Sequence, residues 1–332
     1  MDEKLLNPFE VDPSEEYMHA PQPVRNWTEY CYFYGGDESS DFGVSIHIGS
    51  DADDPRICRG SMAIFLANGV MLTAQYRGRD GSRYGPGAGP LRVRCIEPLR
   101  LWMAEFDGLV HRIQRSALMN DVFRDSPTEV ASFRVVFEAA SPLWDLDRAG
   151  IARSLVLVSG TVAEHDRERA RSHHWQQVGR SRGEITVQGT THQIRGAAMR
   201  DHTYGPRDYA AINGSGWFNG VFPDGTTFMA MATRVGGNYI KGGFLFREGS
   251  TPLELIELLQ HPPIGDADTP HGAYVADILQ DDDWRAFRSG WEPVTERKPS
   301  MWKRGTVFQR PICLQRMRFS ARTFHALSAD RR

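Results

Sequence analysis

The feature that most constrains this chain is a hydrophobic period of two. Val44, Ile46 and Ile48 alternate with Gly43, Ser45 and His47; Met62, Ile64 and Leu66 keep the same alternation up to Asn68-Gly69, and Val70, Leu72 and Ala74 continue it. In an extended chain period two puts every second side chain on one face, so each run buries one side and must pair within a sheet. Asn-Gly between two such runs signals a two-residue hairpin, because both central residues of a type I′ turn need positive φ. Further strands are expected at Leu91–Ile96, Arg100–Phe106, Phe133–Ala139, Leu155–Val158 and Ile185–Val187, the last turning at Gln188-Gly189 and resuming through His192–Ile194.

The second half repeats the layout. Trp217–Phe222 runs into Pro223-Asp224-Gly225 and returns as Thr227–Ala232, followed by strands at Tyr239–Phe246, Tyr274–Leu279, Arg285–Ser289 and Thr306–Gln309. Residues 68 and 224 are 156 positions apart, close to half of the 332 residues, which suggests internal duplication of one β domain. Helix is scarce: a charged stretch, Ala163–Gln177, reads as a surface connector helix, and Leu253–Leu259 between prolines is ambiguous. Residues 1–23, rich in Pro and acids, read as an arm draped over the body. The Gly/Pro-rich run Arg83–Pro90 is expected to be a loop, a candidate lid, rather than a strand. The expected organisation is thus an arm (1–23) followed by two all-β, antiparallel domains, barrels or sandwiches, the first with its connector helix (24–178) and the second spanning 179–325.

With 40% hydrophobic and 24% charged residues the chain can bury a sizeable core, and 39 basic against 42 acidic residues leave no surplus of positive charge for a phosphate backbone. Nucleic acid is not an expected partner. No apolar run reaches the ~20 residues of a membrane span and the start lacks a signal-peptide pattern, so a cytoplasmic location is expected. A homodimer is left open. Cys31, Cys58, Cys95 and Cys313 form no C-x-x-C pair and read as reduced structural thiols. No phosphate-binding loop occurs, Gly214-Ser215-Gly216 is not a nucleophile elbow, and the adjacent His173-His174, read within the helix, cannot chelate together. No metal or nucleotide cofactor is therefore expected.

The chemically dense segment is Met199–Tyr209, with Arg200, Asp201, His202, Arg207 and Asp208 between apolar strands. If it is extended, Arg200, His202 and Tyr204 share one face while Asp201 and Thr203 share the other. One reading is a charge cluster in which Asp201 and Asp208 pair with Arg200 and Arg207 to fasten the two halves. The other is a carboxyl and an imidazole held beside an apolar cavity, where desolvation shifts pKa values into a useful range. Trp102, Trp144, Trp175, Trp217, Phe218 and Phe222 supply rings either for the core or for the wall of such a cavity.

The stretch Gly196–Tyr209, G-x-x-x-R-D-H-T-Y-G-P-R-D-Y, resembles the G-x-x-x-R-D-H-S-W-G-x-R-D-W signature of proteins related to the AttH-like and hydroxyneurosporene synthase (carotenoid hydratase) group. Supporting matches are Arg25-Asn26-Trp27 ahead of Tyr30–Tyr34, Ile96-Glu97-Pro98-Leu99 before Trp102, Phe106-Asp107-Gly108 and Ser141-Pro142-Leu143-Trp144-Asp145. Thr203, Tyr204 and Tyr209 stand where that signature has Ser, Trp and Trp, which keeps a hydroxyl and two rings. The resemblance implies two consecutive lipocalin-like (calycin-type) β-barrels and a key carboxylate at the position of Asp201. It also implies cofactor-independent hydration, isomerisation or cyclisation of a hydrophobic terpenoid-, steroid- or polyketide-like substrate. On that reading Asp201 is the proton donor or base, His202 orients it, Arg207 pairs with Asp208 or anchors a substrate oxygen, and Tyr204, Trp217, Trp102, Arg200 and Phe218 bind substrate. A lipid carrier without chemistry is the alternative.

Overall fold

The computed structural model describes residues 6–24, 27–37, 42–50, 54–66, 69–79, 81–114, 125–146, 173–206, 212–222, 224–235, 238–247, 253–254, 257–258, 274–280, 283–289 and 306–307. Beyond residue 206, side chains are described for 219–222, 224–231 and 241–247.

Nearly everything is antiparallel strand. The first half contributes β1 (Trp27–Gly36), β2 (Gly43–Ser50), β3 (Cys58–Phe65), β4 (Val70–Gly78), β5 (Gly87–Ala88), β6 (Leu91–Glu97), β7 (Leu101–Gln114), β8 (Thr128–Ala139) and β9 (Trp144–Asp145). A long hairpin follows, β10 (His173–Val187) and β11 (Thr190–Pro206). Its turn is the two-residue type expected, with Gln188 at φ 51° and Gly189 at φ 75°. The sheet runs β4-β3-β2-β1-β11-β10-β8-β7, and β4 pairs with the end of β7 from Val70↔Gln114 to Thr73↔His111, so these strands return to their starting edge. A closed ring removes the exposed edges that an open sheet would offer for aggregation. The β3–β4 hairpin turns through Gly69 at φ 73°.

Period two decides what the ring encloses. Cys31, Phe33, Ile46, Ile64, Leu72, Val93, Trp102, Phe106, Phe133, Phe137 and Ile185 point inward as one buried cluster, with Phe33 against Trp102 and Phe137 at centroid distances of 5.6 and 6.3 Å. The outer face of β1, β10 and β11 is apolar too, because the second half covers it. There β12 (Ile212–Val221), β13 (Thr227–Val235), β14 (Asn238–Phe246), β15 (Leu253–Glu254) and β19 (Thr306–Val307) form a sheet in the order β15-β14-β13-β12-β19. Tyr32, Tyr34, Trp144, Val178 and Met199 of the first sheet pack with Val221, Met229, Met231, Phe244 and Phe246 of the second. A separate three-stranded sheet contains β16 (Glu257–Leu258), β17 (Tyr274–Gln280) and β18 (Asp283–Ser289).

Three details depart from the sequence reading. The sequence predicts a connector helix running to Gln177, but His173–Gln177 open β10, where Trp175 and Gln177 alternate with His174 and Gln176 across two buried faces. Charge density upstream masks a period-two start; residues 163–172, like 155–158, lie outside the described residues. The Gly/Pro run is no lid, since Gly85–Ala88 is buried, Gly87-Ala88 pairs with Leu91 and Arg92, and a Cβ on Gly85 would lie 2.0 Å from the Val93 carbonyl. Finally, β10 and β11 pair with β8 and β1, so the expected boundary at 178/179 falls inside one sheet.

Residues 6–19 of the arm lie against one end of the ring. Asp12 caps a single 3-10 turn, Pro13–Glu16, by accepting from the Ser14 backbone N–H at 2.8 Å, and Leu6 and Val11 are buried. That turn delivers Glu15, Glu16 and, just beyond, His19 to the barrel end.

Candidate functional site

β11 carries the chemistry, and its alternation splits it into two sites back to back. Ala198, Arg200, His202 and Tyr204 face the ring interior and the arm, while Ala197, Met199, Asp201 and Thr203 face the second sheet.

On the outer face Asp201 Oδ2 lies 3.1 Å from His174 Nε2, and both side chains are only 7% exposed. The pair exists because register sets His174 opposite Thr203 and Gln176 opposite Asp201, all pointing the same way. A proton between these two atoms can sit on the imidazole, leaving a carboxylate base, or on the carboxyl, leaving an acid. Gln176 Nε2 is 3.2 Å from the same His174 nitrogen. On the other side of Asp201 stands Tyr32, whose hydroxyl is 3.1 Å from Ser45 Oγ; burial, reinforced by the Asp201 charge, pushes its phenol far up, so it stays neutral. Tyr30 stacks on His47 with centroids 4.6 Å apart. One step along the strands the surface turns apolar, through Tyr34, Met199 and Val178 and the Met and Phe side chains of the second sheet. Asn219 Nδ2 donates to Met199 Sδ at 3.2 Å. Gln176 Oε1, Thr203 Oγ1, Asn219 Oδ1 and Trp144 Nε1 are buried with no partner among the described residues. Buried polar atoms are nearly always paired, so a group of them on one face marks a place where water or the polar part of a ligand belongs.

Inside the ring Glu16 is the hub. Its Oε1 accepts from Arg200 Nη1 at 3.0 Å and Trp175 Nε1 at 2.8 Å, and its Oε2 accepts from Trp102 Nε1 at 3.0 Å and the Leu99 N–H at 3.1 Å. Arg200 Nη2 makes a close ionic contact with Oε2 at 2.7 Å, although the directed bond is the one from Nη1. Burial, the largest single effect, would raise the Glu16 carboxyl, but the charges of Arg200 and His202 together with the bonds from Arg200 and Trp102 outweigh it and hold the pKa below the ordinary value. Arg200 Nε donates to Gln177 Oε1 at 2.9 Å, and its guanidinium lies 5.4 Å from the Trp102 ring centre. Beside this hub His19 Nδ1 and His202 Nε2 both reach Glu29 Oε1, at 2.7 and 2.9 Å. Burial opposes ionisation of Glu29, yet the bonds and charges of His19 and His202 together keep its pKa low; the bonds and charges of Glu29 and Glu15 together likewise overcome burial to raise His19. His19 Nε2 lies 3.3 Å from Glu15 Oε2, which also accepts from the Tyr204 hydroxyl.

The model of a domain of unknown function, DUF7064, matches residues 12–296. The chain belongs to the DUF7064 family. No curated protein matches the sequence of this DUF7064 chain. Among solved structures it is similar to a candidate AttH from Nitrosomonas europaea at 13% identity and TM-score 0.54, covering 82% of this chain and 81% of that one. That likeness bears out the AttH-like fold implied by the Gly196–Tyr209 signature. It is more loosely similar to CghA with Sch210972 (10% identity, TM-score 0.41, 85% and 81% covered) and to CghA alone (9%, 0.43, 91% and 89%).

The structure of the DUF7064 chain brings only some of the sequence-predicted residues together. His202 does not orient Asp201: adjacent residues of a strand face opposite ways, and the partner of Asp201 is His174. Arg200, Tyr204 and Trp102 are engaged by Glu16 and Glu15 of the arm rather than gathered around Asp201. Arg207 lies outside the described residues, and Trp217 and Phe218 are placed on β12 without a description of their side chains. The residues missed were His174, Gln176, Glu16, Glu29 and His19. For His174 the signal was present in the alternation of His173–Gln177, had that run been read as strand; for the arm residues no local pattern exists, because their partners are as much as 184 positions away.

Proposed function

We propose that this DUF7064 protein is a cofactor-independent enzyme that moves protons on an apolar small molecule held between its two sheets, with Asp201 as the acid or base. The observation that carries this reading is the buried Asp201–His174 pair at 3.1 Å, standing beside an apolar wall and next to four unpartnered polar atoms. In the acid form Asp201 gives its proton to one carbon of a double bond and is left as carboxylate. The cationic carbon is then attacked by water, whose extra proton passes to the Asp201 carboxylate (hydration), or by a second double bond of the same molecule, the new cation then losing a proton to Asp201 (cyclisation), or it loses a neighbouring proton to Asp201 with a shifted double bond (isomerisation). His174 positions the carboxyl and shares its proton, and the faces of Tyr30 and Tyr32 offer π density to a cationic centre. The substrate class is terpenoid-, steroid- or polyketide-like.

Deuterium tests this directly. Molecules extracted from the purified protein, and a panel of unsaturated terpenoids, steroids and polyketides, are incubated with it in D2O and read by mass spectrometry. Wild type should place deuterium on carbon, and Asp201→Asn should slow this by about 10²- to 10⁴-fold while ligand retention persists. A retained ligand with no incorporation, or unchanged incorporation in Asp201→Asn, refutes the catalytic reading. The first of these outcomes favours the carrier, the second reading kept open by the apolar wall.

A further inference from the structure

We propose that His19, Glu29 and His202 bind one divalent transition-metal ion of the zinc class, which clamps the N-terminal arm across the end of the barrel. The three donor atoms lie within 4.8 Å of one another and come from three separate elements, the arm, β1 and β11. Two imidazole nitrogens and one carboxylate oxygen are the donor set that zinc and its borderline neighbours accept, with water in the fourth position.

The two contacts to Glu29 need only a small change to admit an ion, and the two imidazole nitrogens lie within 4.8 Å of each other. Metal–ligand bonds of roughly 2.0–2.1 Å separate tetrahedral donors by about 3.3 Å. His19 and His202 now stand 2.7 and 2.9 Å from Glu29 Oε1, so the cluster needs to open by about half an ångström, and the arm that carries His19 can supply it. The outer contacts are those of a metal-bound histidine: His19 Nε2 faces Glu15, and the other Glu29 oxygen is fixed by the His19 backbone N–H at 2.9 Å. Binding through His202 Nε2 places the ring proton on Nδ1, which has no partner among the described residues, a cost that the metal–nitrogen bond has to offset. Glu15 and Glu29 both bear on His19, a negative surplus that a dication cancels. Solvent reaches the cluster from the His19 side, 24% exposed, whereas Glu29 and His202 are sealed. This site lies on the opposite face of β11 from Asp201 and takes no part in the proton transfer above.

The full-length protein, stripped with chelator, is titrated with Co²⁺ and then Zn²⁺. The expected result is about one Co²⁺ bound per chain, with the intense visible bands of a four- or five-coordinate site bleached by Zn²⁺, and Zn²⁺ should slow protease cleavage within the arm. His19→Ala, which alters only the partly exposed donor, should abolish both effects, and Glu15→Gln should weaken binding by about 10- to 100-fold. Asp201→Asn should bind Co²⁺ as wild type does, which separates this site from the proposed reaction. Absence of the bands in wild type, or bands unchanged in a folded His19→Ala protein, overturns the proposal.

Discussion

Glu16 offers the sharpest test of how the barrel is held together, because one arm side chain terminates four donors from four places in the fold. Glu16→Gln keeps the shape but removes the charge and replaces one accepting oxygen by a donating NH2. Arg200, 1% exposed, then lacks its counter-ion, and either Trp102 Nε1 and the Leu99 N–H or Trp175 Nε1 and Arg200 Nη1 must face another donor. Breaking a buried ion pair from one side costs about 3–5 kcal/mol, and a stranded donor adds about 1–3. At about 2–4 °C per kcal/mol for a domain of this size, the ion pair alone corresponds to a fall in Tm of roughly 6–20 °C. Urea unfolding followed by tryptophan fluorescence reads this directly, since Trp102 and Trp175 are themselves partners of Glu16. The double variant Glu16→Met with Arg200→Met removes both charges and should be less damaging than Glu16→Met alone, as the penalty lies in the uncompensated arginine. A cost below about 1 kcal/mol for Glu16→Gln, or additive losses in the double variant, would refute the argument.

Acid should find the same hub. The folded pKa of Glu16 is below its ordinary 4.5, so its contribution is complete above that value and is lost as pH falls through the lower folded pKa; the acid limb of a stability–pH curve should therefore flatten in Glu16→Gln. Gly49→Ala should cost about 3 kcal/mol or more in urea unfolding, because its Cβ would lie 1.9 Å from the Glu29 carbonyl oxygen and 2.6 Å from Tyr30 Cα, both backbone atoms of the paired strand; a near-neutral result would mean the β1–β2 approach is wider than described.

Strand identity was legible because it depends on period two and on turn residues, both local. The runs around Ile46, Ile64 and Leu72, the turns at Gly69, Gln188-Gly189 and Gly225, and the opposition of Arg200 and His202 to Asp201 all followed from alternation and positive φ. Alternation also exposes the weak step: orientation of Asp201 by His202 conflicts with their adjacency on one strand, and only the pairing of β10 with β11 supplies His174 instead.

What tertiary structure alone decided is which residues meet across long stretches of chain. Nothing near Glu16 announces Arg200, and nothing near His19 announces His202, because ring closure and the path of the arm set those distances rather than any local spacing. The sequence determined that the chain would be antiparallel β with a charged strand at its middle. Placing one face of that strand inside a barrel and the other against a second sheet, and so dividing its charges into an arm anchor and a buried carboxyl–imidazole contact, required the pairing of β11 with both β1 and β10. Hydrogen bonds of that kind are fixed by the whole sheet and by no residue on its own.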